Sequence, residues 1–62
     1  MEKNILYTVI IYRDVLKLEI YDKENNLIFD KYYNNNEPQL YMDILSKTRD
    51  CKDVNKIHII YK

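Results

Sequence analysis

Ile5-Leu6-Tyr7-Thr8-Val9-Ile10-Ile11-Tyr12 is aliphatic, β-branched or aromatic at every position. Successive residues of a strand point to opposite faces, so a run rich in such residues on both alternating sets reads as a central strand covered on both sides. The rest of the chain can be placed by what is able to pair with it. Val15 to Tyr21 alternates strictly, with Leu16, Leu18 and Ile20 on one side and Lys17, Glu19 and Tyr21 on the other. That is the pattern of a half-buried strand. Leu27 to Tyr33 supplies a third strand after Asp22-Lys23-Glu24-Asn25-Asn26, a turn in which Asn25 suits the left-handed position usually given to glycine.

The only helical periodicity follows. Asn36 can cap the helix, Gln39 completes a capping box, Glu37 favours the positive end of the dipole, and Pro38 is tolerated in the first turn. Leu40, Tyr41, Ile44, Leu45 and Thr48 then form one stripe, and Lys47 and Arg49 suit the carboxyl end, so the helix is expected from about Asn36 to Arg49. A last strand runs from Asn55 to Tyr61, with Ile57, Ile59 and Tyr61 on one side and His58 and Ile60 on the other.

The expected fold class is therefore α+β, a single domain over residues 1–62 in the order β-β-β-α-β. If Arg13-Asp14 makes a two-residue hairpin loop, Ile11 faces Leu16, Val9 faces Leu18 and Tyr7 faces Ile20 on one face. Pairing Leu18 with Phe29 and Ile20 with Leu27 extends that face and sets Lys17 opposite Asp30. The helix must cover it. A right-handed crossover then lays the last strand parallel to the first, giving a mixed four-stranded sheet of order 3-2-1-4. Leu16, Leu18, Ile20, Phe29, Leu40, Ile44, Leu45, Ile57 and Ile59 are the expected core.

This arrangement resembles, in topology, the first half of the ribonuclease H and actin-like fold. The nucleases of that group hold two metals between carboxylates on the first strand, the helix and the last strand. Here the first strand carries no carboxylate and the last ends Ile59-Ile60-Tyr61-Lys62. Asp43 and Asp14 cannot form that cluster alone, so neither a metal nor another cofactor is expected.

Composition narrows the class further. The chain has no Gly and no Ala, and half of its 62 residues are Ile, Asn, Lys or Tyr. Those four take A/T-rich codons, which points to an AT-rich genome and leaves Asn and Asp to make the turns. A chain of this length buries only about 60% of its unfolded surface, so good packing or association must stabilise it. With one Cys and one His, neither a disulfide nor a zinc site can do so, and a lone thiol fits a cytoplasmic setting. Ten basic and ten acidic residues cancel, which disfavours binding to a phosphate backbone or an anionic membrane. No signal peptide or membrane anchor is visible.

Catalytic pairings are weak. Cys51 and His58 lack a third group to orient them and read as an incidental thiol and a half-exposed strand histidine. Asp43 with Asp50 or Asp53 reads as solvated surface, and Asn34-Asn35-Asn36 as a lead-in to the helix cap. Tyrosine, at seven residues, is the one enrichment with functional content. Tyr7 and Tyr61 belong to the helix-covered face. The reverse face should gather Leu6, Ile10, Tyr12, Val15, Tyr21, Ile28, Tyr32 and Ile60, interspersed with Thr8, Lys17, Glu19, Asp30 and His58, and so form an interaction surface.

The expectation is a non-catalytic protein–protein interaction module, binding through that face or through a strand edge, as a homodimer or on a host protein. Small size, neutrality and codon bias suggest a phage or mobile-element inhibitor, anti-defence proteins included, acting in the host cytoplasm. The alternative is a single-strand nucleic-acid-binding domain with Tyr12, Tyr21 and Tyr32 as stacking platforms and Lys17 or Lys31 near the backbone.

Overall fold

In the computed structural model, which describes residues 5–35 and 37–62, β1 (Tyr7–Tyr12) lies at the centre of four strands. It pairs antiparallel with β2 (Lys17–Asp22), which pairs antiparallel with β3 (Leu27–Tyr32). The helix α1 (Glu37–Lys47) crosses one face and leads through a 3₁₀ turn, Val54–Lys56, into β4 (Ile57–Tyr61), parallel to β1. The strand order is 3-2-1-4, as the sequence pattern requires. The likeness to half a ribonuclease H fold is one of topology.

Both hairpin registers are longer than expected. Ile11 stands beside Leu18 and Val9 beside Ile20, so the first loop is the four residues Arg13–Leu16 and not Arg13-Asp14 alone. Leu16 leaves the strand and takes φ of 52° in the left-handed region, where a Cβ costs about 1–2 kcal/mol. Two contacts hold it there: its carbonyl accepts from the Tyr33 N–H at 2.8 Å, and its side chain packs on the core. In the second hairpin Ile20 pairs with Phe29, and Lys17 faces Tyr32 rather than Asp30. The Asp22 carboxylate fixes this turn by accepting from the Glu24 and Asn26 N–H groups, each at 2.9 Å. Asn25 takes the left-handed position assigned to it, with φ of 66°. A register shift between Ile20 and Tyr21 leaves Ile28 as the extra residue of a bulge.

Because β1 and β2 are shifted by an even number of residues, every side chain keeps its face. Val9, Ile11, Leu18 and Ile20 are buried beneath Leu40 and Ile44 of the helix, with Leu16, Phe29, Ile57 and Tyr7 packed around them. Tyr33, just beyond β3, completes the core. The reverse face of β1 is half-buried and carries no covering element among the described residues.

Two expected core residues are not core. Leu45 is 71% exposed and Ile59 43%. Contacts that draw the helix toward β3 account for this. Tyr33 Oη donates to Asp43 Oδ2, Gln39 Nε2 donates to Asp43 Oδ1 at 2.9 Å, and Lys47 Nζ lies 4.9 Å from the centre of the Phe29 ring. Asp43 and Lys47 are thus the flank tied to β3, and the opposite flank, Tyr41 and Leu45, is left bare on the β4 side. The helix is shorter than expected at its carboxyl end, where Thr48 is buried and its hydroxyl donates to the Ile44 carbonyl at 2.7 Å. Asn36 and its cap lie outside the described residues.

Candidate functional site

Two surfaces emerge from this frame. On the reverse face, alternation brings Lys17, Glu19 and Tyr21 of β2 to the same side as Tyr12 of β1. Glu19 is the hub. Its Oε1 accepts from Tyr12 Oη at 3.1 Å and Tyr21 Oη at 3.2 Å, and Lys17 Nζ lies 3.1 Å from Oε2. Burial works against the Glu19 charge, but Lys17 and the two hydroxyls more than offset it, so the carboxyl titrates below its usual range. The hydrogen bond to Glu19 also raises Lys17, whose ammonium sits 5.2 Å from the Tyr32 ring centre.

The reverse face is therefore a hydrogen-bonded polar network with apolar margins. Ile10 and Ile60 stand side by side on β1 and β4, half-buried, and Leu6 precedes β1 with its N–H donated to the Lys56 carbonyl at 2.8 Å. Ile28 and Tyr32 are exposed on β3. Val15 sits in the Arg13–Leu16 loop, not on a strand, and is exposed apart from the others. Glu19 was the residue missed as an organiser, although its position between Lys17 and Tyr21 on one alternating set signals such a bridge.

The second surface is β4 with the bare helix flank. Tyr61 is 51% exposed and Tyr41 41%, and Ile59 and Leu45 are exposed as well. The neighbouring Tyr61 hydroxyl raises the Tyr41 phenol, whose own hydroxyl donates to Glu37 Oε1 at 3.4 Å. A cleft of about 220 Å³ opens at its end, lined by Ile11, Leu16, Leu40, Tyr41 and Tyr61 among others. Arg13 lies 5.9 Å from the Tyr61 ring centre. Only Leu6, Ile10 and Ile60 of the expected reverse-face set lie near this edge.

Among the described residues, reactive side chains do not converge. His58 is exposed on β4, and Cys51 Sγ lies 3.3 Å from the Asp53 carbonyl oxygen in the preceding loop. Among the described residues no three His, Cys, Asp or Glu side chains gather as metal ligands. No helix in them is long and apolar enough to cross a membrane. No protein-family model, curated protein or solved structure matches this chain.

The ionisable network carries a pH prediction. Glu19, Asp22 and Asp43 are all held below their ordinary values, Asp22 chiefly by the Asn26 N–H and Asp43 chiefly by the Tyr33 hydroxyl. Their stabilisation is complete above the usual carboxylate range of about pH 4 and is lost as pH falls through the lower folded values. Tyr7, Tyr12, Tyr21 and Tyr33 are raised, Tyr7 and Tyr12 chiefly by hydrogen bonds to carboxylates and Tyr21 and Tyr33 chiefly by burial. Their contribution is present below about pH 10 and is lost as pH rises through the raised values. The melting temperature should be level from about pH 5 to about pH 9 and fall on either side. Glu19→Gln should flatten the acid limb, and a melting temperature that climbs below pH 4 would contradict the network.

Proposed function

We propose that this chain is a non-catalytic protein–protein interaction module whose binding surface is the open β4 edge with the Tyr41–Leu45 flank of α1. The observation that supports it is that Ile59 and Tyr61 are exposed on a strand with no partner on its outer side among the described residues, with Tyr41 lining the same cleft as Tyr61 and Leu45 exposed on the same helix flank. Strand addition suits such an edge, because backbone hydrogen bonds supply affinity and flanking pockets supply selectivity. The AT-rich codon bias, small size and zero formal charge favour a phage or mobile-element product that inhibits a host protein by binding it in the host cytoplasm.

A photo-reactive residue in place of Ile59 tests this reading inside the source cell, with Ser46 on the outer helix face as the control position. A defined protein adduct should form from position 59 and not from 46. Equal labelling at both, or none at 59, would remove β4 as the binding edge.

A further inference from the structure

We propose that the occupant of the β4 edge is a second copy of this chain, its β4 running antiparallel to the first about a two-fold axis at Ile59. The inference rests on the reading of β4 as a binding edge and names its partner. Lys62 spends both backbone groups on β1, donating to the Ile11 carbonyl at 2.9 Å and accepting from the Arg13 N–H at 3.2 Å. The Lys56 carbonyl likewise accepts from Leu6. Ladder alternation then commits His58 and Ile60 to β1 and turns the backbone groups of Ile57, Ile59 and Tyr61 outward.

Those three positions are self-complementary. An axis at Ile59 sets Ile59 opposite Ile59 and Ile57 opposite Tyr61, so all outward N–H and C=O groups are paired. Shifting the register in either direction leaves one end of the ladder open. Directly opposed residues share a face, so both helices lie on one side of a continuous eight-stranded sheet. Tyr41 and Leu45 of each copy then look toward those of the other across Ile59 and Tyr61. The same contact would cover the flank that the helix leaves bare.

The opposite edge is guarded. β3 carries a bulge at Ile28 and the charges of Asp30 and Lys31, devices that block edge pairing, whereas Ile57–Tyr61 has no charge, proline or bulge. Tyr41 and Tyr61 each leave on the order of 100 Å² uncovered, and Leu45 and Ile59 together add a similar area. With the two backbone edges, the buried total approaches the roughly 1,200 Å² at which specific interfaces begin, so the dimer belongs at the weak end of that class. The only like charges that the register opposes are Lys56 and Lys62, both exposed, at each end of the ladder. Added salt should therefore tighten self-association.

Sedimentation velocity on the full chain, from micromolar to near-millimolar concentration, tests the proposal. The wild type should pass from monomer to dimer. Of the backbone groups, Ile59→Pro removes only an outward N–H, and Leu45→Lys charges the flank. Both should weaken association by at least about tenfold without changing the folded spectrum. Amide exchange at Ile57, Ile59 and Tyr61 should slow as concentration rises. Should Ile59→Pro fail to fold, Leu45→Lys carries the test alone. A monomer at every concentration overturns the second copy, and leaves the module reading standing if position 59 still cross-links to another protein. A dimer indifferent to both substitutions overturns the second copy at β4, and the module reading then stands or falls on the cross-link from position 59.

Discussion

Leu40→Ala is expected to lower stability by about 2–5 kcal/mol, enough to unfold much of a domain this small. Leu40 is fully buried and, with Ile44, anchors the helix on Val9, Ile11, Leu18 and Ile20. Truncation would leave a cavity that the short helix cannot close without giving up its hold on the sheet. Leu45→Ala, five residues on, should change stability by no more than about 0.5 kcal/mol, because that side chain already stands in solvent. Sequence periodicity alone places Leu45 in the core beside Leu40 and assigns its truncation the same loss of about 2–5 kcal/mol. Urea melts of both variants decide between the two, and matching midpoints would mean that the helix does not sit as described.

Tyr33→Ala should be the second severe lesion, at about 3–5 kcal/mol. The ring is buried at the end of β3, and its hydroxyl donates to Asp43 on the helix, so one side chain fills the core and ties two elements together. Tyr33→Phe separates those roles. It keeps the packing and removes the charge-assisted hydrogen bond, at a loss of about 1.5–3 kcal/mol, part of which Gln39 and solvent recover at Asp43. A double-mutant cycle with Asp43→Ala should show coupling. Additive losses would mean that the hydroxyl bond contributes nothing of its own.

The fold was legible because the strands and helix announce themselves by period. Val9, Ile11, Leu18 and Ile20 all fall on the face that alternation gives them. Register was not legible, and the reason is local. Asn25 was readable as the left-handed residue of its turn because Asn tolerates that conformation, whereas Leu16 does the same with a branched side chain that no propensity rule places there. Reading Leu16 as a strand residue shortened the first loop. The wrong pairing of Leu18 with Phe29 had a different source, the Asp22 turn and the bulge at Ile28, which change the residue count on only one strand.

The candidate surface was half legible for a similar reason. Alternation located Tyr12, Tyr21, Lys17 and Glu19 together, but not that Glu19 would draw in the two hydroxyls and the ammonium and so make that face polar. A stripe of apolar residues on a helix says that one side is buried and not how wide the covered zone is. Asp43 and Lys47, by holding the helix to Tyr33 and Phe29, decide that Tyr41 and Leu45 stay outside.

The parallel pairing of β1 with β4 also fixes an order of assembly. β1, β2 and β3 join through short loops, while Tyr7 meets Ile57 only after both hairpins and the helix have been traversed. Closing that long loop carries the larger entropy loss, and contacts of high sequence separation form late. A growing or refolding chain is thus expected to pair β1, β2 and β3 before β4 docks, with β1 as an edge whose Val9-Ile10-Ile11 run is unpaired on one side. That transient form, more than the finished domain, is where chains of this sequence are most apt to stick to one another.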